Sequence, residues 1–344
     1  MSVAGEPGKR VRPVFDHLAA LTDERGLLGP AEFESGHTLR CYSVDDAARA
    51  LVITSRERSP SPTVNRLHDR YLAFVLGAVD AGGGCRQRMD VEGNWADEPG
   101  VGDWWGRIAW GLGTAAALSP SAGQRARALT GFRLAAQSRA PARRAMAFAA
   151  LGAGAVLRAR PGEPAARSLL SDAVGVVATP FVDSGWRWPE PRLLDSNAAL
   201  SEALLIAGDA LRDEAALKQG LGMLGFLLRV EIRDRHLSVT PRGGRGPEDS
   251  SPGFDQQPVQ VATIADACAT AYRVTADPRW LTGINLAWRW FLGDNDARMP
   301  MVDRVTGAGY DDLQVRGRSA GAGAASTLAA LSTAQQARRV QDLR

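Results

Sequence analysis

The sequence predicts an all-α fold in which helical hairpins close into a ring. Three observations carry that expectation. Apolar residues recur at helical spacing along almost the whole chain, and alternating strand-like runs are scarce. The periodic stretches number twelve. Between them, short turns rich in Pro and Gly alternate with long polar loops, as expected if turns gather on one face and loops on the other around a central pit. Six such hairpins make an (α/α)6 toroid. An open helical solenoid needs a repeat of near-constant sequence, and none is present.

Residues 1–12 are rich in Gly, Pro and charge and are expected to be flexible. Residues 13–344 read as one domain, since no linker divides them. Phe15, Leu18 and Leu21 mark a first helix, stopped by Gly26 and Gly29. Helices follow over 44–57 and over 61–80, the second with Val64, Leu67, Tyr71, Leu72 and Val75 at helical spacing. Further helices fit 103–118, 122–136, 141–158, 164–178 and 194–209, then 213–230, 258–275, 278–292 and 322–340. Ser119-Pro120-Ser121, Arg160 to Pro164, Gly208-Asp209 and Ala276-Asp277-Pro278 are the short turns. The long loops, 30–43, 82–102, 179–193, 231–257 and 293–321, are polar and carry aromatic residues.

Composition narrows the function. The chain is 45% apolar and 23% charged, an ordinary globular balance, and its net charge of +3 is spread without a basic stripe, so nucleic acid is not a partner. No stretch approaches the ~18 unbroken apolar residues of a membrane span, and no apolar run stands behind the basic residues of the N-terminus. Cys41, Cys85 and Cys268 are scattered and lack CxxC spacing, as expected of free thiols in the cytoplasm. His17, His37 and His68 show no metal-ligand spacing, no GxSxG elbow occurs, and the Arg242 to Gly246 loop, taken as flexible, is neither a P-loop nor a dinucleotide fingerprint. No cofactor or metal is implied, and the oligomeric state stays open.

Polar residues crowd two entrances to apolar helices. Phe254-Asp255-Gln256-Gln257-Pro258-Val259-Gln260 leads into the helix at 258, and Tyr42-Ser43-Val44-Asp45-Asp46 with Arg49 opens the helix at 44. Polar side chains gathered where a loop meets a buried helix suit a ligand pocket. Ser43 with Asp46 is also a variant capping box, which accounts for Asp46 but not for Asp45, Tyr42 or Arg49. The pair begins like a DDxxD metal motif, yet the fifth position is Arg49. Two Trp-plus-acid clusters point toward carbohydrate, since flat aromatic faces stack on sugar rings as well as filling cores. One is Asp103-Trp104-Trp105 with Arg107, and the other Trp186-Arg187-Trp188 followed by Asp195, Asn197 and Glu202. Asp103 with Arg107 and Asp195 with Glu202 fit inter-helix pairing equally well.

These segments resemble the (α/α)6 proteins related to glycoside hydrolases that occur alone or fused behind family 4 glycosyltransferases. The family's signatures run approximately GYxxDDNARAL, a Trp-rich segment ending in EAL, FDQQPVEA and a final NQGAEST. Here they correspond to Cys41 to Leu51, Trp186 to Leu204, Phe254 to Ala262 and Gly321 to Thr327, so that the resemblance spans residues 36 to 335. Within the family it points to the mycobacterial methylmannose polysaccharide hydrolases, and so implies endo-acting cleavage of α-(1→4)-linked mannan. Three departures stand out: Gln260 replaces the Glu of QPVEA, Ala47-Ala48 replaces part of DDNAR, and the closing motif lacks its Asn, Gln and Glu. Gln260 inside an otherwise intact motif implies an inactivated variant, engineered or natural.

Glycosidic cleavage generally needs one carboxylic acid and one carboxylate, about 6.5–9.5 Å apart for inversion. The resemblance assigns inversion, with Glu at 260 as proton donor and Asp45 or Asp46 as base, which of them is acid and which base staying open. It leaves Tyr42, Arg49, Asp103, Trp104, Arg107, Trp186, Trp188, Asp195, Asn197, His236, Asp255, Gln256 and Gln257 as candidate contacts to an oligosaccharide or polysaccharide. Two alternatives stand beside it: a non-catalytic glycan-binding toroid, and a sugar epimerase, which needs general-base histidines and finds only His236 suitably placed.

Overall fold

The computed structural model describes residues 10–32, 38–178, 185–249 and 251–343; His37 and the first nine residues of the N-terminal stretch lie outside them. Among the described residues there are twelve helices. They are α1 (Asp16–Ala20), α2 (Val44–Arg56), α3 (Pro62–Gly77), α4 (Asp103–Leu118), α5 (Ala122–Ala135) and α6 (Arg143–Ala159). After them come α7 (Pro164–Val177), α8 (Asn197–Leu211), α9 (Glu214–Glu231), α10 (Pro258–Thr275), α11 (Arg279–Phe291) and α12 (Ala324–Asp342). Each sequence-predicted helix is present, with ends displaced by no more than a turn. None is long and apolar enough to cross a membrane.

The long loops are more regular than the sequence predicts. β1 (Leu28–Glu32), β2 (Thr38–Ser43) and β3 (Arg88–Met89) form an antiparallel sheet, with Leu28 opposite Tyr42 and Tyr42 opposite Met89. Two hairpins pair β4 (Ile232–Arg233) with β5 (His236–Leu237) and β6 (Leu313–Gln314) with β7 (Gly317–Arg318). Ladders of two residues leave no alternation to read, and β1 carries Gly29 and Pro30, both poor strand formers.

The chain folds into two compact units. The described residues of 18–189 and 199–223 make the larger one. Its central layer is α2, α4 and α6, whose residues are buried on nearly all sides; α3, α5 and α7 flank it with one apolar face each. The central helices meet backbone to backbone. A Cβ at Gly106 would lie 2.1 Å from the Ala145 carbonyl oxygen, one at Gly113 2.4 Å from that of Gly152, and one at Gly152 2.1 Å from that of Ala109. Ser43, Ser61 and Ser121 cap α2, α3 and α5, and Ser121 and Gln124 form a reciprocal capping box.

The second unit holds the described residues of 1–17, 190–198 and 224–344. Here α10 packs on α11 and α12, with the Cys268 thiol seated against Gly283. Trp280, Ile284, Ala287, Trp290 and Phe291 form the buried stripe of α11. Asp311 secures the start of α12, accepting from the Gly323 amide at 2.8 Å and from Ser326 Oγ at 2.7 Å. The N-terminal stretch is anchored here: Val11 N donates to Gln341 Oε1 at 2.7 Å, and Arg10 pairs with Asp342.

Gly152→Ala is expected to destabilise the chain by about 2 kcal/mol or more, because overpacked atoms meet backbone that cannot yield; denaturant unfolding measures it. His68 gives a pH dependence. Its ring is buried between Thr54 and Ser55, and burial holds its pKa below the usual value. The unfolded chain therefore takes up the proton first, so stability is full above the ordinary histidine value near ~6.5 and falls as the pH drops below it. In His68→Asn the loss of melting temperature between pH 7.5 and 5 is expected to be smaller.

Candidate functional site

Each unit places one polar cluster at the start of a buried helix. In the larger unit, β2 delivers the chain into α2, and Ser43 Oγ accepts from the Asp46 amide at 3.4 Å. The next turn is a dense charge network. Arg49 Nη2 donates to Asp45 Oδ2 at 2.8 Å and to Asp46 Oδ1 at 2.5 Å, while Arg107 Nε on α4 meets Asp45 Oδ1 at 2.5 Å. The Arg107 guanidinium lies 4.1 Å from the Phe148 ring centroid on α6, a cation–π contact in a desolvated place. Burial pushes the Asp45 carboxyl up, but Arg107 and Arg49 outweigh it and hold the pKa below the usual value. Asp46 goes the other way: burial raises it, the charge of Asp45 adds to that, and the arginines only partly offset them. Two adjacent carboxyls are thus driven apart, Asp45 toward the carboxylate and Asp46 toward the acid.

Other candidates of this unit have structural partners. Tyr42 is buried beside Phe74 and donates to Asp23 Oδ2 at 2.6 Å. Trp104 is half-buried, its indole N–H on the Cys85 carbonyl at 2.8 Å and its ring covering Gly102, where a Cβ would come within 2.0 Å. Trp105 is core and donates to the Ala135 carbonyl at 3.0 Å. Asp103 is the first residue of α4 and half-buried. Trp188 is buried, whereas Trp186 keeps part of its surface.

In the second unit the cluster forms around Leu194. Asn197 accepts from the Leu194 amide and donates to its carbonyl, both at 2.9 Å, and Gln260 Nε2 donates to the same carbonyl at 2.7 Å. Asn197 and Gln260 are both buried; Asp195 is exposed. Pro258 opens α10 and Gln257 precedes it as the cap residue. Asp255 is half-buried, its carbonyl accepting from the Arg242 amide at 2.8 Å.

Gln256 is fully buried and threads a backbone ladder, its amide on the Leu313 carbonyl at 3.0 Å and its carbonyl accepting from the Leu313 amide at 2.9 Å. Its side chain accepts from Trp290 Nε1 at 3.3 Å and donates to Asp296 Oδ2 at 2.7 Å. Asp296 Oδ1 lies 3.0 Å from His236 Nε2. Burial raises the Asp296 carboxyl, yet hydrogen bonds from Gln256, His236 and Ser238 prevail and keep it below the usual value. An ionised Asp296 fixes the N–H on Nε2 and leaves Nδ1 as the basic nitrogen; Nδ1 has no hydrogen-bond partner among the described residues.

Asp296 was not singled out by the sequence. Only its place in the polar Asp294-Asn295-Asp296 stretch after α11 marks it, and its partner lies far away along the chain. The Arg242 to Gly246 loop is not flexible as expected: Arg245 is buried and donates to the carbonyls of Val230 and Ser238 at 3.3 and 3.1 Å.

No family model matches the chain, and no curated protein sequence matches it. Solved structures do. A sugar epimerase from a ruminal bacterium superposes with a TM-score of 0.67 at 15% identity, over 95% of this chain and 97% of that one. The cellobiose 2-epimerase of Spirochaeta thermophila gives 0.67 at 14% identity, over 96% and 94%. The GH76 α-mannanase of Bacteroides thetaiotaomicron gives 0.60 at 13% identity, over 94% and 92%. The fold is an (α/α)6 toroid. At these identities the likeness carries the fold and not the chemistry.

Arg107→Ala removes one partner of a desolvated ion pair and leaves the Asp45 carboxylate on Arg49 alone. A loss of about 3 kcal/mol in denaturant unfolding is expected, whereas exposed pairs lose ~1 kcal/mol or less.

Proposed function

We propose that this toroid is a carbohydrate-active protein whose ligand is an α-(1→4)-linked mannan oligosaccharide, and that Gln260 suppresses its hydrolytic step. One observation carries the reading: the buried side chain at 260 gives a hydrogen bond to the Leu194 carbonyl. That carbonyl, which also accepts from Asn197, favours a donor at 260 and repels a carboxylate. Gln satisfies it with its amide N–H, whereas Glu satisfies it only when protonated. A carboxyl held there is therefore pushed toward its acid form, the state a leaving-group acid needs at neutral pH. Gln keeps the hydrogen bond and loses the acidic proton. In this reading cleavage inverts the anomeric centre. The solved α-mannanase on the same fold supports the choice of sugar. The protein works in the cytoplasm, where its three free thiols stay reduced.

Gln260→Glu is expected to raise the release of reducing ends from a manno-oligosaccharide by at least ~10²-fold, the usual worth of a placed general acid. An unchanged rate removes hydrolysis from this position, and NMR of the fresh product reads the anomer.

A second reading rests on the His236–Asp296 pair. A histidine oriented by an ionised carboxylate, with its other nitrogen unpartnered, is suited to take a proton from carbon beside a sugar carbonyl, as epimerisation or isomerisation requires. Two of the solved structures above are named as sugar epimerases. This reading expects deuterium uptake at C2 of a reducing manno- or cello-disaccharide in D2O, abolished in His236→Asn. Absence of uptake with the parent chain discards it.

A further inference from the structure

The larger unit carries a cavity of about 520 Å³ that neither reading uses. It is walled by the end of α6 and the turn after it, the start of α7, and the end of α8. Three guanidinium groups, Arg158, Arg167 and Arg212, line it against a single carboxylate, Asp209, with Leu157 and Leu211 as apolar wall. The formal charge of the lining is therefore +2.

Two of the arginines are distinctive. Arg167 stands near the N-terminal end of α7, where the helix dipole adds to its attraction for an anion. The acidic residue at that end, Glu163, does not oppose it, because Arg133 neutralises it through contacts of 3.1 and 2.7 Å. Arg212 follows the last residue of α8 with φ +60°, the left-handed region in which glycine is the usual helix-ending residue. Its guanidinium has no partner among the described residues. Arg212 is exposed, so its guanidinium is free to turn toward the open cavity.

We propose that this cavity binds a phosphomonoester of hexose size. A phosphomonoester carries close to two negative charges at neutral pH, matching the lining, and its oxygens suit the forked donors of guanidinium. The volume lies within the ~300–1,000 Å³ usual for small-molecule sites. Asp209 and the leucines face the hydroxyls and carbon frame of the sugar.

Calorimetric titration of the full chain tests this with three probes: glucose 6-phosphate, glucose and inorganic phosphate. The hexose phosphate is expected to bind at least ~10-fold more tightly than either of the others, one well-made charged contact being worth about that factor. Arg167→Ala and Arg212→Ala should each weaken it about tenfold. Arg212→Gly separates ligand binding from folding: its melting temperature should hold or rise, as glycine fits the backbone there, while binding weakens about tenfold as in Arg212→Ala. Equal affinity for glucose and its phosphate, equal affinity for inorganic phosphate, or undiminished binding in the doubly substituted chain overturns the proposal.

Discussion

The larger unit depends on the backbone-to-backbone approach of α4 to α6. Three glycines, Gly106, Gly113 and Gly152, let carbonyls of one helix occupy space that a Cβ would fill on the other. The approach has an electrostatic consequence. Gly106 sits against Ala145, so its neighbour Arg107 comes to lie over Phe148, about one turn further along α6, and still reaches Asp45 on α2. Without that contact Arg107 would have neither its aromatic floor nor its carboxylate, and Asp45 would keep only the charge of Arg49 beside it. Packing of small residues here sets the protonation of the acid pair at the start of α2.

The second unit solves a different problem, how to hold amides in place without charge. The Leu194 carbonyl accepts from two buried carboxamides, and Gln256 joins Trp290 to Asp296. Each of these polar groups has its partner before any ligand arrives, so the cluster is rigid at little cost in unsatisfied donors. Such an arrangement is sensitive to chemistry and tolerant of shape. Exchanging Gln260 for Glu alters a few atoms and retains the volume, yet turns a neutral donor into a titrating one.

Helices were legible in the sequence because burial on one face repeats at 3.6 residues, and the Pro and Ser residues that start α3, α5, α7 and α10 mark their ends. The short strands were not, since two-residue ladders form by pairing across loops and leave no local pattern. The site was half legible. Asp45, Asp46, Gln256 and Gln260 stood out as polar residues at helix entrances, and all four are held in defined networks. Their partners did not stand out. Arg107 reads equally as an ion-pair partner of Asp103 or as a sugar contact, and the sequence does not announce Asp45, which the structure brings to it. Asp296 reaches His236 from another loop. Pairings across tertiary distance are fixed by how helices cross, and a single sequence does not contain that angle.

The two clusters differ in what they can do to a proton. Asp45 is gripped by two guanidinium groups, so taking a proton from water requires it to weaken contacts that a desolvated carboxylate needs. Asp46 pairs with Arg49 and feels the charge of Arg107 as well, yet is biased toward its acid form by burial and by Asp45. The two carboxyls are therefore held unequally, Asp45 below its usual value and Asp46 above it. In the second unit His236 is oriented by a carboxylate that keeps its charge through three hydrogen bonds. Gln260 sits among neutral partners and moves no proton at all. Placing a carboxyl at 260 adds a titrating group at a position that holds none, while leaving the Asp45–Arg107 and His236–Asp296 pairs as they stand.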